Sequence, residues 1–310
     1  MLRIIAILFL YFSHTCYAQI IEYTFNDSSD STRNYYITLK PKEGIKATII
    51  ILPSFGEKPE EVIDNWDFTK NAADNGYLLI IPSLGDKSFF YIDKKSQDIL
   101  VDFIDKVFKK YKLNEESFFI GGFSFGGTMA LQYSKLTSYD SKPLYKPKSV
   151  FAIDSPLDIE RLYNCMNESK LKSTNSITIH ESTYITDRIK NEFNVKSNYP
   201  HDFFWNISPF SKSEISQQSL NKFNNLPIRI YNEPDLQWYY ENRNSDIACL
   251  NFNDSFRMIN WLKFRGNNKA ELILTSGKGF RKSRNNQRHP HSWSIAESEK
   301  LIKWLDSNLD

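Results

Sequence analysis

The sequence predicts an α/β protein built on a doubly wound, mostly parallel sheet. The first observation behind this prediction is a continuous apolar, β-branched run at Ala47–Leu52, which stops at a turn over residues 53–56. A run without a polar face is typical of a parallel strand that is covered on both sides. The second observation is the alternation of apolar runs with helical patterns after it, which predicts one sheet with helices on both faces.

The individual elements follow in chain order. Two extended segments, residues 20–25 and 34–39, flank a polar turn at residues 26–32. The later expected strands are residues 47–52, 77–81, 117–120, 149–153, 228–231 and 271–274. The expected helices are residues 65–75, 96–111, 128–133 and 294–309. The pattern Ser294-x-x-Glu297 predicts a capping box that opens the last helix.

Composition places the chain among folded proteins and argues against nucleic-acid binding. The 310 residues are 41% apolar and 25% charged, which is enough to bury a full-sized core in one domain or two smaller ones. The 39 basic and 37 acidic residues nearly balance, and no basic stripe accompanies a nucleic-acid motif. We therefore expect no nucleic-acid partner.

Residues 1–18 have the pattern of a signal peptide. Arg3 precedes an uncharged apolar run at residues 4–12, and a polar stretch follows that ends in Ala18. Cleavage after Ala18 would leave one domain at residues 19–310 and a secreted or periplasmic protein, with lipidation at Cys16 as an alternative. A membrane anchor needs about 20 apolar residues, so we expect no integral membrane span.

Two cysteines, Cys165 and Cys249, remain after the signal peptide. Export to an oxidising compartment allows them to pair, but they could equally be small buried apolar groups. The sequence leaves both possibilities open.

One stretch interrupts the alternation of strands and helices. About 70 polar, Asn-, Ser- and Lys-rich residues lie between the strand that ends near Asp154 and the strand that begins near Pro227. We expect residues 156–225 to form a cap-like insertion over a pocket, before the penultimate strand. The alternative is a surface excursion with its own small core.

The chemistry is predicted at a glycine-rich turn. Four of the eleven glycines lie in residues 121–127, between an expected strand and an expected helix. A serine at such a turn takes a strained backbone conformation, and the positions two residues before and after it have no room for a Cβ atom. Gly122 and Gly126 meet that requirement, and they identify Ser124 as a candidate nucleophile on a strand-to-helix elbow.

Backbone N–H groups near Ser124 could stabilise an oxyanion. The N–H of Phe125 lies at the start of the following helix, whose dipole favours negative charge. A second donor should come from the loop after the run 47–52. Pro53 has no N–H group, so this donor is Ser54 or Phe55, and Phe55 is preferred.

A serine hydroxyl needs a general base. His180 and His201 lie in the insertion, whereas His289 and His291 lie between the last strand and the last helix. We choose His291, with His289 as the substitute. A His-x-His pair can also bind a metal, but no further ligands stand at suitable spacing, so no metal site is predicted.

The base needs a carboxylate that orients it. This acid should follow the penultimate expected strand, where Asp235 lies past the turn and Glu233 lies nearer the strand end. Asp235 is the first choice, and Glu233 is the alternative.

These residues resemble those of the α/β-hydrolase superfamily. The resemblance rests on the order Ser124, Asp235, His291, on the glycine elbow, on the loop after residue 52 and on the insertion. It covers nearly all of the chain after the signal peptide and is strongest to secreted serine esterases, where a His-Ser-Trp segment before the last helix is familiar. The chain departs from many members at Pro53-Ser54, where they carry His-Gly.

The resemblance implies an α/β-hydrolase fold and ester hydrolysis through an acyl-serine intermediate, without a cofactor. The substrate would be a small-molecule or glycan-linked ester, and the oligomeric state stays open. A serine peptidase and a non-catalytic binding protein on the same fold are the alternatives. The basic residues before His291 are expected to form a solvated loop; as an alternative, this loop overhangs the pocket and attracts an anionic substrate. They are Lys278, Arg281, Lys282, Arg284 and Arg288.

Overall fold

The structure is a computed structural model that describes residues 20–25, 35–83, 92–137, 145–193 and 201–309. The expected signal peptide at residues 1–18 and the expected polar turn at residues 26–32 lie outside these residues. Within the described ranges, no helix combines the length and the apolar character needed to cross a bilayer.

A mostly parallel sheet forms the centre of the fold. The described strands are β1 (Ile20–Phe25), β2 (Tyr35–Lys40), β3 (Ala47–Leu52), β4 (Tyr77–Pro82), β5 (Phe118–Phe123), β6 (Ser149–Ile153), β7 (Ile228–Asn232), β8 (Ala270–Leu274), β9 (Phe280–Arg281) and β10 (Gln287–Arg288). Eight of them form one sheet in the order β1-β2-β4-β3-β5-β6-β7-β8. Strands β3 to β8 pair in parallel, and β1 and β2 add an antiparallel edge. The predicted fold class is confirmed.

Helices cover both faces of this sheet. They are α1 (Pro59–Asn65), α2 (Phe68–Asp74), α3 (Lys94–Tyr111), α4 (Phe125–Leu136), α5 (Ile159–Lys172), α6 (Ser176–Phe193), α7 (His201–Ile207), α8 (Leu236–Arg243), α9 (Phe252–Phe264) and α10 (Ser298–Asp306). Helices α3, α4 and α9 share one apolar core with the sheet, and α1, α2 and α10 share the other. Alternate residues of β3 enter opposite cores, with Ile50 in the first and Ile51 in the second. Every residue of β3 is therefore buried, and its sequence has no polar face.

The helix expected at residues 65–75 is α2 (Phe68–Asp74), and a separate helix that was not expected, α1, ends just before it at Asn65. The chain breaks at Trp66, whose backbone is extended at φ −136°, between α1 and α2. The Trp66 indole is buried, stacks on Trp293 at a centroid distance of 4.7 Å and donates to the carbonyl oxygen of Ala296 at 3.1 Å. We infer that burial of the Trp66 side chain stabilises the fold more than a continuous helix through this residue would.

The expected capping box at Ser294 is wrong. Helix α10 begins four residues later, at Ser298, with Glu297 in the N-cap position. The Ser294 hydroxyl instead accepts a hydrogen bond from the N–H of Phe280 at 2.7 Å and lies 2.7 Å from the carbonyl oxygen of Lys278. Ser294 therefore holds the β9–β10 hairpin against the segment that leads into α10.

The insertion at residues 156–225 contains α5, α6 and α7. Helix α5 packs along α6 and touches α7. A disulfide joins Cys165 of α5 to Cys249, in a short 3-10 turn at Ile247–Cys249 after α8, with a Cα–Cα distance of 5.4 Å. The pairing that the sequence left open is present, and it ties the insertion to the segment between β7 and β8.

Candidate active site

Ser124 lies at the sharp turn between β5 and α4. Its backbone has φ 53° and ψ −128°, a positive φ that residues other than glycine rarely adopt. The Ser124 N–H donates to the carbonyl oxygen of Ile153 in β6 at 2.9 Å, and the Ser124 carbonyl oxygen accepts from the N–H of Gly127 at 3.0 Å. The strained serine is therefore held by the neighbouring strand and by the first turn of α4.

The two glycines that flank the serine are required by close approach to β3. A Cβ atom on Gly126 would lie 2.2 Å from the carbonyl oxygen of Leu52, and one on Gly122 would lie 2.6 Å from the same oxygen. Neither contact is possible for real atoms, so the elbow can approach the end of β3 only without side chains at these positions. The spacing that predicted the elbow has this physical origin.

His291 lies beside the elbow and is bonded to a carboxylate. Its imidazole packs on the ring of Phe123, the residue before the serine, at a centroid distance of 4.4 Å. Its Nδ1 atom lies 2.6 Å from Oδ2 of Asp154. His291 and Ser124 line the same cavity. The structure thus brings together the predicted nucleophile and the predicted base.

The carboxylate at His291 is not the expected one. Asp154 directly follows β6, whereas the sequence pointed to the acids after β7. Asp235 instead caps α8, accepting from the N–H of Trp238 at 3.0 Å, and its Oδ2 atom pairs with Nη2 of Arg288 at 2.6 Å. Glu233 also pairs with Arg288 and accepts from the N–H of Lys278 at 2.8 Å. Arg288 pairs with both acids, and the backbone before β9 also binds Glu233, so both carboxylates are engaged away from His291.

Asp154 is fixed on three sides. Its Oδ1 atom accepts from Nδ2 of Asn232 at 2.8 Å, and its carbonyl oxygen accepts from Nδ2 of Asn251 at 2.9 Å. Its side chain is only 8% exposed. The only signal for Asp154 in the sequence was its position as the first acid after the buried run 149–153.

His289 is buried and cannot serve as the base in this geometry. Its Nε2 atom lies 3.0 Å from Nη2 of Arg243, and its Nδ1 atom accepts from the N–H of His291 at 3.2 Å. Burial, together with the nearby charge of Arg281, His291 and Arg243, lowers the pKa of His289 to about 2. Both ring nitrogens of His289 face N–H donors, so the positively charged imidazolium form is disfavoured.

The loop after β3 contains the second oxyanion candidate. The N–H of Ser54 donates to Oε2 of Glu57 at 2.9 Å, so it is directed away from the nucleophile. This arrangement favours Phe55 over Ser54 as the donor that would act with Phe125. Glu57 also accepts from Nε1 of Trp293 at 2.9 Å. It therefore connects this loop to the segment that carries His291, and burial raises its pKa to about 7.

The cavity at Ser124 has a volume of about 150 Å³ and is roofed by the insertion. Leu162 and Met166 of α5 line it together with Ser182 and Ile185 of α6. Among the described residues, no group of three or more His, Cys, Asp or Glu side chains is placed to hold a metal ion.

Aromatic residues at 203–204 and 238–239 take different positions. Phe204 is in the core, and Phe203 is partly buried against it. Tyr239 lines the cavity, whereas Trp238 packs on His289 at a centroid distance of 4.5 Å.

Comparison with known proteins identifies the fold. No family model matches the chain, and no curated protein matches its sequence. Solved structures do match it over most of its length. S-formylglutathione hydrolase from Staphylococcus aureus is 10% identical with a TM-score of 0.57, and the match covers 95% of this chain and 100% of that one. MPT51 from Mycobacterium tuberculosis is 13% identical with a TM-score of 0.58, covering 93% and 100%.

A hormone-sensitive lipase from a metagenome library is 14% identical with a TM-score of 0.57, and this match covers 94% of this chain and 85% of the lipase. At such identities the likeness establishes the fold. The chain therefore has the α/β-hydrolase fold, as its resemblance implied.

Proposed function

We propose that the protein is a serine esterase that hydrolyses carboxylic esters through Ser124, His291 and Asp154. The observation that carries this proposal is the 2.6 Å contact between His291 Nδ1 and Asp154 Oδ2, beside a strained serine in the same cavity. A carboxylate on Nδ1 keeps the proton there and leaves Nε2 to accept the hydroxyl proton. Asp154 takes the role that the sequence assigned to Asp235.

The chain's residues can carry both halves of the reaction. Ser124 Oγ attacks the ester carbonyl carbon while His291 Nε2 takes its proton, and the N–H groups of Phe55 and Phe125 hold the oxyanion. Collapse of the tetrahedral intermediate breaks the bond to the alcohol, which leaves with the proton from His291. Water then attacks the acyl-serine by the same route, releases the acid and restores Ser124.

The cavity favours a compact substrate. Pockets for drug-sized ligands are usually about 300–1,000 Å³, whereas the cavity at Ser124 is about 150 Å³. A short acyl group and the ester bond fit this space. A glycan-linked ester would place only that part of the molecule inside.

Export to an oxidising compartment is part of the proposal. Disulfides persist in secreted and periplasmic proteins and are rare in reducing compartments. The Cys165–Cys249 bond supports the expectation drawn from residues 1–18.

A fluorophosphonate probe tests the nucleophile. The wild-type protein should be labelled at Ser124, and S124A should not be labelled. We expect S124A to lose at least about 10³-fold in kcat/KM on 4-nitrophenyl acetate, because only binding and the oxyanion donors remain. An unchanged circular dichroism spectrum would show that S124A is folded.

The same assay separates the alternatives. Hydrolysis of 4-nitrophenyl acetate without hydrolysis of 4-nitroacetanilide is the expected result. Comparable amide hydrolysis would favour a peptidase, and full activity or labelling of S124A would refute the assignment of the nucleophile.

A further inference from the structure

The charged side chains that line the cavity at Ser124 have a net positive charge. Glu181 contributes one negative charge, and Arg243 and Arg281 contribute two positive charges. Glu181 pairs with Arg243, with 3.0 Å between Oε2 and Nη1. Among the residues that the structure describes, no carboxylate lies within 4.0 Å of the Arg281 guanidinium, so the excess positive charge belongs to Arg281.

Arg281 is anchored next to the predicted base. It ends β9, and its Nη2 atom donates to the carbonyl oxygen of His291 at 3.2 Å. A guanidinium has five N–H donors, and this is the one hydrogen bond that the described residues give it. Burial, and then the charges of Arg284 and Arg243, lower the pKa of Arg281 to about 10. Glu181 and Glu57 attract Arg281 only from beyond ion-pair distance, so this partly buried cation gains from an anion that enters the cavity.

The geometry points to an ester whose acyl or alcohol portion carries a carboxylate or a similar anionic group, which Arg281 binds while Ser124 attacks the ester. This inference rests on the proposed esterase function and names its substrate class. Arg281 can offer a carboxylate two parallel N–H donors, which adds orientation as well as attraction. The Glu181 side chain does not oppose such an anion strongly, because it is 55% exposed and is paired with Arg243.

The rest of the basic loop does not supply this charge. Lys278 pairs with Glu297, and Lys282 pairs with Asp67. Arg288 pairs with Glu233 and Asp235. Arg284 is exposed and does not line the cavity. Of the five basic residues noted in the sequence, Arg281 alone lines the cavity. Lys278, Lys282 and Arg284 are exposed and match the solvated-loop interpretation, whereas Arg288 is largely covered by its acidic partners.

A competing explanation is that Arg281 only holds the backbone of His291 in place. In that case, substitution of Arg281 would slow neutral and anionic esters alike. The ratio of kcat/KM between an anionic ester and its neutral counterpart separates the two roles, because a defect in the position of His291 cancels in the ratio.

Two matched pairs of esters provide this ratio. The first pair, 4-acetoxybenzoate and 4-acetoxybenzamide, places the charge on the alcohol portion. The second pair, monoethyl succinate and ethyl succinamate, places it on the acyl portion. We expect wild-type protein to prefer the anionic member of one pair, and that pair identifies the portion that Arg281 binds.

The variants are R281Q, R281K and the control R284Q. R281Q should lower the anionic-to-neutral ratio by about 10- to 100-fold, the range for loss of a charge-assisted hydrogen bond. R281K keeps the charge without the planar fork and should retain part of the preference. R284Q removes the same charge from the exposed side of the loop and should change the ratio by less than about threefold.

The possible outcomes are distinct. Equal efficiency on both members of each pair in the wild type overturns the inference and leaves the esterase proposal intact. A proportional loss on both members in R281Q also overturns it and assigns Arg281 a positioning role. Failure to hydrolyse any of the four esters would overturn the esterase proposal, and this inference with it.

Discussion

In the variant D154N, Asn232 would determine which atom of the new side-chain amide faces His291. Its Nδ2 atom donates to Asp154 Oδ1 at 2.8 Å, while Oδ2 contacts His291 Nδ1 at 2.6 Å. In D154N, the remaining carboxamide oxygen would face Asn232, and the new NH₂ group would face His291. The imidazole would then carry its proton on Nε2, where it cannot accept one from Ser124.

We therefore expect D154N to lower kcat on 4-nitrophenyl acetate by about 10³- to 10⁴-fold, the effect of a wrong imidazole tautomer. Steady-state kinetics measure this loss, and retained folding can be checked by thermal unfolding. D235N is the matched control, since Asp235 contacts Arg288 and the start of α8 instead of the base. The assignment fails if D235N is the more damaged of the two variants.

Sequence reasoning selected the serine and the histidine that line the cavity, but not the carboxylate that contacts His291. The glycines at 122 and 126 leave a signal because backbone contact with Leu52 forbids side chains there. No comparable backbone contact restricts the residue type at the position of the acid. Strands β6 and β7 are parallel neighbours that end at the same edge of the sheet, so an acid after either strand could reach the base. The long-range contact of Arg288 with Glu233 and Asp235 decides between them.

At the scale of elements, the site depends on loops that converge from distant parts of the chain. The loop after β3 and the segment before α10 are joined by Glu57, which accepts from Ser54 and from Trp293 at 2.9 Å each. The β9–β10 hairpin brings Arg281 to the carbonyl oxygen of His291. Patterns in the sequence predicted the eight strands of the central sheet to within one residue, except that β5 continues three residues past its predicted end. The short strands β9 and β10 and side-chain bridges of this kind carry no local pattern.

The disulfide between α5 and the turn after α8 gives a prediction at this scale. It closes a separation of 84 residues, and a crosslink of that length restricts the unfolded chain strongly. We expect reduction to lower the free energy of unfolding by about 2–4 kcal/mol. Urea unfolding with and without dithiothreitol measures the change.

The double variant C165A/C249A is the control for this measurement. It should be less stable than the oxidised protein and should not respond to the reductant. A wild-type unfolding midpoint that is the same with and without dithiothreitol would show that the bond contributes nothing to stability.

At the scale of the whole molecule, the sheet divides the core in two. Alternation within β3 sends Ile50 and Ile51 to opposite faces, so periodicity alone predicted a two-sided parallel sheet. The crossover connections between strands determine the order β2-β4-β3-β5. Local patterns do not encode this order, and the sequence analysis predicted the type of sheet without the order of its strands.

The pH dependence of global stability follows from the buried histidine. The pKa of His289 falls from an ordinary value of about 6.5 to about 2 in the folded protein. The unfolded chain therefore binds one more proton between these values. Above pH 6.5, His289 is neutral in both states and does not oppose folding. As the pH falls below 6.5, the unfolded chain takes up the proton, and the free energy of unfolding decreases. Buried Glu57 and Asp158, with pKa values raised to about 7 and about 6, act in the opposite direction over part of this range.

A comparison of variants isolates the histidine from these opposing carboxyl groups. H289Q removes the titrating ring, and its side-chain amide oxygen can accept a hydrogen bond from Arg243. Between pH 6.5 and 4.5, we expect the wild type to lose stability relative to H289Q by about 1.4 kcal/mol for each pH unit. Urea unfolding across this range measures the difference. Parallel curves for H289Q and the wild type would show that His289 takes up its proton without unfolding.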